Sequence, residues 1–348
     1  MKQMEARKSD ITNVCITFSL YGLMQYLLLV DEDTARNRTF YFFGDGIDPS
    51  IRNRLCSEHF STRPSPDWKE ALSRRFRKAW MRLLKYNRYP FLRTAALYAQ
   101  DWLYPSMLIG SRNYSLLSDS PLFLDWNMQT DCKLYQRQMK EKETLKGKLM
   151  MLLYGRLSVM NYGNNAQCQR FYLTAPNDTP VQRGKETVVK SLEEMWAEAD
   201  ESHRRFVMEV FDIEKDTLPK DEGRDILFIT QPWVDDEILS EEECRELTDR
   251  MMAHYDRGRV VIKRHPRDTV DYASWYPDIP RQDKVVNLEL LMMLGYKPKK
   301  VVTISSSVVD FLPESVDVDW FDTNVHEKIR KLCGDTVQPR RHVNRVVL

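Results

Sequence analysis

The sequence predicts an α/β protein with two open sheets of parallel strands, one in each half of the chain. Three observations carry this reading. Short apolar runs alternate with longer stretches of helical period throughout, the pattern that crossover helices between parallel strands produce. The chain has 348 residues, more than one hydrophobic core usually serves, and roughly 150 to 200 residues per domain gives two domains. The composition changes at 186–222, which is charged, helical in period and closed by a Pro and Gly break. The expected organisation is an N-terminal Rossmann-like domain at 1–185, a helical linker at 186–222 and a C-terminal Rossmann-like domain at 223–348.

In the first block, strands are expected at 14–18 (VCITF), 39–43 (TFYFF), 114–118 (YSLLS) and 170–174 (RFYLT). Helices are expected after Ser19, at 67–86 and at 132–155, the last two rich in cations. Those cations are read first as solvated faces. In the second block, strands are expected at 225–230, 259–263, 300–305 and near 317–321, with helices at 240–255 and 287–294. Ser240 with Glu243 forms the Ser-x-x-Glu capping box, which sets the start of that helix.

Lys plus Arg is 52 and Asp plus Glu is 51, so the strongly basic field of a nucleic-acid binder is missing. The six cysteines are scattered without a Cys-x-x-Cys and read as reduced thiols, which points to a cytoplasmic protein. The apolar stretch 13–30 is interrupted by Asn13, Thr17, Ser19 and Gln25. It reads as a buried strand turning into a helix, since a signal or anchor requires an unbroken run.

Open α/β sheets bind ligands outside the carboxyl ends of their strands, so chemistry is sought just past each strand. In the second block those positions hold Gln231, Pro232, Asp235 and Asp236, then Lys263, Arg264, His265, Pro266 and Arg267, then Ser305, Ser306 and Ser307. Imidazole, cations, hydroxyls and backbone N–H groups together suit a phosphate. An anion there favours the imidazolium that neighbouring cations oppose. In the first block, Asp119 follows a strand and can act as general base. Asp45, between Gly44 and Gly46, is held in reserve, its simpler reading being a tight turn. No G-x-G-x-x-G, P-loop, H-x-x-x-H or G-x-S-x-G occurs, and no metal site is expected. The Asp-Val-Asp at 317–319 matches a short metal signature that arises easily by chance.

Six segments in order, CITFSLYGLMQYLLL, LIGSRNYSLLSDSPLF, RFYLTAPNDTP, ITQPWVDDEILSEEE, VVIKRHPRDTVDY and VVTISSSVVDFL, resemble the bacterial sialyltransferases of glycosyltransferase family 52, which includes lipooligosaccharide sialyltransferases. The resemblance implies the GT-B architecture of two facing Rossmann-like domains, with the nucleotide on the C-terminal one. It also implies inverting, metal-independent transfer from CMP-sialic acid to a terminal sugar, such as galactose, of a bacterial surface glycan. His265 and Pro266 match the His-Pro motif, Ser305 to Ser307 the serine motif, and Asp119 the acid that serves as base. The acidic motif here reads Ser118-Asp119-Ser120, without the first acid and the glycine.

Under this resemblance Asp119 accepts the acceptor hydroxyl's proton. Protonated His265, with Gln231, Pro232, Lys263, Pro266, Arg267 and the serines, holds the nucleotide sugar and its departing phosphate. The rival readings are transfer of another sugar, such as glucose from a UDP-sugar, and a non-catalytic glycan-assembly protein. Expected partners are a nucleotide sugar as co-substrate, with no other cofactor, and a glycan or glycolipid acceptor, with no nucleic acid. A homodimer and peripheral contact with the inner face of the cytoplasmic membrane are implied by the resemblance alone.

Overall fold

The computed structural model describes residues 10–61, 67–102, 104–121, 133–176, 184–214, 223–282, 286–333, 339 and 341–348. The chain divides into two compact units between Asp212 and Ile213.

The first unit is built on parallel strands β1 (Asn13–Thr17), β2 (Thr39–Phe43), β3 (Ser57–His59), β4 (Ala96–Ala99), β5 (Tyr114–Leu117), β6 (Cys168–Leu173) and β7 (Glu186–Val189), in the order β3-β2-β1-β4-β5-β6-β7. β1 lies between β2 and β4, with Asn13 opposite Thr39 on one side and Ala96 on the other. The strand direction of travel across the sheet therefore reverses at β1 and β4, the switch point of a doubly wound fold. β1 and β2 are buried along nearly their whole length, as the continuous apolar runs require when both sheet faces are covered. Val14, Ile16, Phe40, Phe42, Leu116 and Phe171 share one core.

Ser19 caps helix α1 (Leu20–Leu29) by accepting from the Gly22 N–H, which is why the apolar run after β1 turns to helical period there. Helix α2 is Trp68–Arg88. The single helix expected at 132–155 is instead α3 (Lys133–Glu141) and α4 (Leu145–Tyr154). The Thr144 side chain accepts from the Gly147 N–H and so begins a new helix, while Cys132 lies outside the described residues.

The segment 186–222 differs from its expectation as a linker. Its first residues form β7, paired with β6 from Arg170 opposite Glu186 to Leu173 opposite Val189. Helices α5 (Leu192–Glu198) and α6 (Glu201–Phe211) then follow within the first unit. Charge dominated the sequence reading here because an edge strand needs little apolar surface, and Glu186 and Val189 are both exposed.

The second unit has parallel strands β8 (Ile226–Ile229), β9 (Val260–Lys263), β10 (Arg281–Gln282), β11 (Lys300–Thr303), β12 (Asp317–Trp320) and β13 (Asn344–Arg345), in the order β10-β9-β8-β11-β12-β13. This is again a doubly wound order, with its switch point between β8 and β11. Helix α7 (Glu241–Met252) starts with both halves of the capping box formed by Ser240 and Glu243. A second core gathers Ile226, Phe228, Leu247, Val260, Ile262 and Val302.

Candidate active site

At the switch point of the second unit, β8 runs out through Thr230 into Gln231 and Pro232, and β11 runs out into Ile304 and Ser305. β9, beside β8, runs out into the loop carrying His265. The sequence-predicted residues of this half thus share one edge of one sheet.

Side-chain bonds fix the two loops to each other. The Thr230 hydroxyl accepts from the His265 backbone N–H at 3.0 Å and donates to Asp268. Asp268 is buried and also accepts from the Tyr272 hydroxyl at 3.1 Å and the Val270 N–H at 3.1 Å. Asp235 accepts from the Thr269 N–H and hydroxyl at 2.8 and 2.7 Å. Asp236 takes a two-pronged hydrogen bond from the Arg267 guanidinium at 2.6 and 3.1 Å. Asp235 and Asp236 each brace the loop that follows β9, and the Arg267 guanidinium is paired with a carboxylate.

The His265 ring nitrogen Nδ1 accepts from the Arg267 backbone N–H at 3.1 Å. A neutral ring that accepts at Nδ1 carries its proton on Nε2. No described residue partners Nε2, which leaves an N–H donor. Burial, then the Arg267 and Lys263 charges, push the imidazole down to about 4, so at neutral pH the ring is neutral without an anion. The imidazolium expected from sequence requires a ligand to supply the opposing charge. Lys263 is buried, and its Nζ donates to the Arg264 carbonyl at 3.1 Å.

Ser305, Ser306 and Ser307 follow β11 half-buried. The Ser306 side chain caps the short 3-10 helix Ser307–Asp310 through the Val308 N–H. No described residue bonds the Ser305 or Ser307 hydroxyl. Three buried polar groups near these strand ends also lack a partner among the described residues: Thr303 Oγ1, Gln282 Nε2 and Trp233 Nε1. Buried orphans are rare in folded proteins and tend to mark ligand or water positions. Of the three, Trp233 lines a small cavity together with Thr230, Gln231, Cys244, Tyr272 and Ile304.

In the first unit, Asp119 is half-buried just past β5. It lies close enough to Tyr162 that its charge helps raise that phenol, after burial and Asp101. Ser118, the position of the missing first acid, is buried and fully used. Its N–H donates to Gln25 Oε1 at 2.8 Å, its hydroxyl to the Tyr172 carbonyl at 2.9 Å, and its carbonyl accepts from Gln100 Nε2 at 3.0 Å. A carboxylate at this position would face the Tyr172 carbonyl, so Ser118 is the residue this packing accepts. Asp45 pairs with His59 at 3.0 Å in a turn after β2, and a Cβ on Gly46 would sit 2.0 Å from the Phe18 carbonyl. The turn reading of Gly44-Asp45-Gly46 is the one seen.

Two residues that sequence reasoning missed organise this edge. Gln100 is fully buried. Its Oε1 accepts from the Thr17 hydroxyl at 2.9 Å and the Phe18 N–H at 3.1 Å, and its Nε2 donates to Ser19 Oγ at 2.8 Å as well as to Ser118. It ties the ends of β1, β4 and β5. Asp101, also buried, accepts from the Tyr114 hydroxyl, the Tyr162 N–H at 2.6 Å and the Gly163 N–H at 2.8 Å. Burial raises it to about 6. The missing signal was β4 itself: a right-handed crossover after α2 requires a returning strand, and ALYAQDW is the run that supplies it. Asp319, of the Asp-Val-Asp run, is bonded to Lys300, Tyr255 and Asn344, and no group of possible metal ligands occurs among the described residues.

Two doubly wound units in one chain define the class: a GT-B protein. The 2,6-sialyltransferase of Photobacterium sp. JT-ISH-224, solved with CMP and lactose, has this fold with a TM-score of 0.53, 11% identity, and coverage of 92% of this chain and 75% of that one. The α/β-galactoside α-2,3-sialyltransferase of Photobacterium phosphoreum gives a TM-score of 0.48 at 10% identity over 93% of this chain and 95% of that one. The sequence model of glycosyltransferase family 52 matches residues 127–320, more than half of the chain. The chain belongs to that family. An uncharacterised protein of Haemophilus influenzae is 27% identical over 178 residues, 51% of this chain. The chain spans 58% of the length of that relative.

Proposed function

We infer that this chain transfers sialic acid from CMP-sialic acid to a terminal sugar, such as galactose, of a bacterial surface glycan, by inversion and without a metal. The observation that carries the reading is the His265 ring, fixed at Nδ1 by the Arg267 N–H and keeping an Nε2–H donor at the strand edge where Ser305 to Ser307 also emerge. In this role His265 holds the CMP phosphate as its charge grows, with the Ser305 and Ser307 hydroxyls and the Ser306 and Ser307 backbone beside it. A donor already aimed in this way needs no reorganisation in the transition state, an effect worth about 3 to 4 kcal/mol per donor.

The Thr230, Asp268, Asp235 and Asp236 bonds support that preorganisation, because they lock both loops before any ligand arrives. Gln231, Pro232 and the Trp233 indole, which has no partner among the described residues, border the cytidine side of the proposed site, and Pro266 fixes the loop behind the histidine. Lys263 and Arg267 act as background positive charge rather than as direct ligands, since each already bonds within the protein. Asp119 is the proposed base, taking the proton of the acceptor hydroxyl.

A second reading, transfer from a UDP-sugar, is favoured by the single acid at Ser118-Asp119-Ser120. Titration calorimetry separates the two. The sialyl reading expects CMP to bind at least tenfold more tightly than UDP, and UDP binding without CMP binding would refute it.

A further inference from the structure

Three aromatic side chains form a row in the first unit. Phe18 directly follows β1, Trp102 lies just past β4, and Tyr162 reaches them from the loop that leads into β6. The Trp102 and Tyr162 rings are stacked, with centroids 4.7 Å apart and planes 6° from parallel. Phe18 meets Trp102 edge-on, at 5.2 Å and 81°. Trp102 and Tyr162 rest against the first core, and all three residues keep part of their surface in solvent.

Buried polar groups and two glycines fix the backbone beneath the rings. Gln100 accepts from the Phe18 N–H at 3.1 Å. Gly44 and Gly46 press so closely on Phe18 that a Cβ would stand 2.6 Å from its Cβ and 2.0 Å from its carbonyl oxygen. Tyr162 has φ 56°, a left-handed conformation that suits Gly or Asn and strains a bulky residue. Asp101 holds it there through the Tyr162 and Gly163 N–H groups at 2.6 and 2.8 Å. Lys185 holds the same loop by donating to the Gly163 carbonyl and, at 2.9 Å, to the Asn165 carbonyl. A turn alone is made at less strain by Gly or Asn, so a Tyr kept in this conformation by its neighbours points to a use for the ring.

The surroundings indicate that use. Asp119 lies close enough to Tyr162 for its charge to help raise the phenol, after burial and Asp101, so the row adjoins the carboxylate proposed to take the acceptor's proton. The faces of aromatic rings are electronegative, and the C–H bonds of a pyranose are its complementary surface. In galactose the axial 4-hydroxyl leaves H3, H4 and H5 together on one side as an apolar patch. In glucose that hydroxyl is equatorial, and H4 lies on the opposite side.

We propose that Phe18, Trp102 and Tyr162 are the platform on which the terminal galactose of the acceptor stacks, placing it beside Asp119 and selecting the galacto over the gluco configuration. The assignment rests on the reading of Asp119 as base and is independent of which nucleotide sugar is the donor. The test is saturation-transfer NMR of the full chain with lactose, and with cellobiose as the gluco counterpart, in the absence of nucleotide. Wild type should pass most saturation to H3, H4 and H5 of the galactose and bind cellobiose at least about fivefold more weakly. Tyr162→Asn, which suits the left-handed backbone, and Trp102→Ala should each weaken lactose at least about fivefold. Tyr162→Phe, which keeps the ring, should bind as wild type does. The Asn variant should unfold no earlier than wild type, and in turnover its KM should rise for the acceptor and stay unchanged for the nucleotide sugar. This pattern obtained with a UDP-sugar as donor would refute the sialyl reading and leave the platform standing. Absence of lactose binding, equal binding of cellobiose, saturation spread evenly over both sugar rings, or lactose binding unaltered in Tyr162→Asn overturns it.

Discussion

The Arg267 backbone N–H donates to Nδ1 of His265 at 3.1 Å, so one residue both fixes the tautomer of the ring and, through its guanidinium, opposes its protonation. The expected consequence is a histidine that titrates only with its ligand. In the free protein the ring stays neutral while the unfolded chain binds a proton between pH 6.5 and about 4, so His265 makes the fold less stable as pH falls through that window. Saturation with CMP moves the ring back toward 6.5, read by NMR titration of its C–H resonances. His265 C–H resonances that CMP leaves unmoved, in shift and in titration, would remove the phosphate from its role.

Thr230→Val deletes the oxygen that receives the His265 N–H and donates to Asp268. Both partners are left wanting in a buried setting, which costs about 1 to 3 kcal/mol of stability. Since the loop that presents the ring moves, kcat should fall about tenfold or more with a smaller change in KM, and Thr230→Ser should restore it. Unchanged kcat in the valine variant would mean that His265 is not positioned through this hydroxyl.

Gly22→Ala probes the hub of the first unit. A Cβ there would stand 2.4 Å from Gln100 Nε2 and 2.9 Å from the Thr17 hydroxyl, so Gln100 must leave the place where it ties β1, β4 and β5. Denaturant unfolding should show a loss of about 1 to 3 kcal/mol. In a Gln100→Ala background the same substitution should cost much less, and simple additivity would contradict the shared cause.

Asp101 has a raised carboxyl, so the stability it adds is complete below pH 3.8 and is lost as pH rises through about 6. Asp101→Asn should erase that slope while lowering stability at every pH, because an amide cannot accept from Tyr114, Tyr162 and Gly163 together. Thermal unfolding across pH 4 to 7 reads both effects. A slope equal to wild type would place the titration elsewhere.

Much of this was legible in the residues. The run TFYFF gave β2 at both ends, and Ser240 with Glu243 gave the start of α7, because burial and capping are local. The grouping of Gln231, His265 and Ser305 at one sheet edge was legible too, since strand ends follow from the alternation of elements. What stayed hidden depended on tertiary partners. β10 and β13 are two residues each and exist only because β9 and β12 receive them. Gln100 lies just past β4, and nothing in ALYAQDW reveals the three strand ends it joins. The neutral state of His265 likewise reflects burial, which a sequence does not show.

The central claim is tested most directly by turnover. Purified protein is offered CMP-sialic acid, UDP-glucose or UDP-galactose with a galactose-terminated acceptor, and nucleotide release and product are measured for wild type, Asp119→Asn and His265→Ala. The account predicts CMP release with a sialylated product, and a drop of at least about a hundredfold in each variant with folding intact. Turnover of a UDP-sugar in place of CMP-sialic acid, or near-normal rates in both variants, would contradict it.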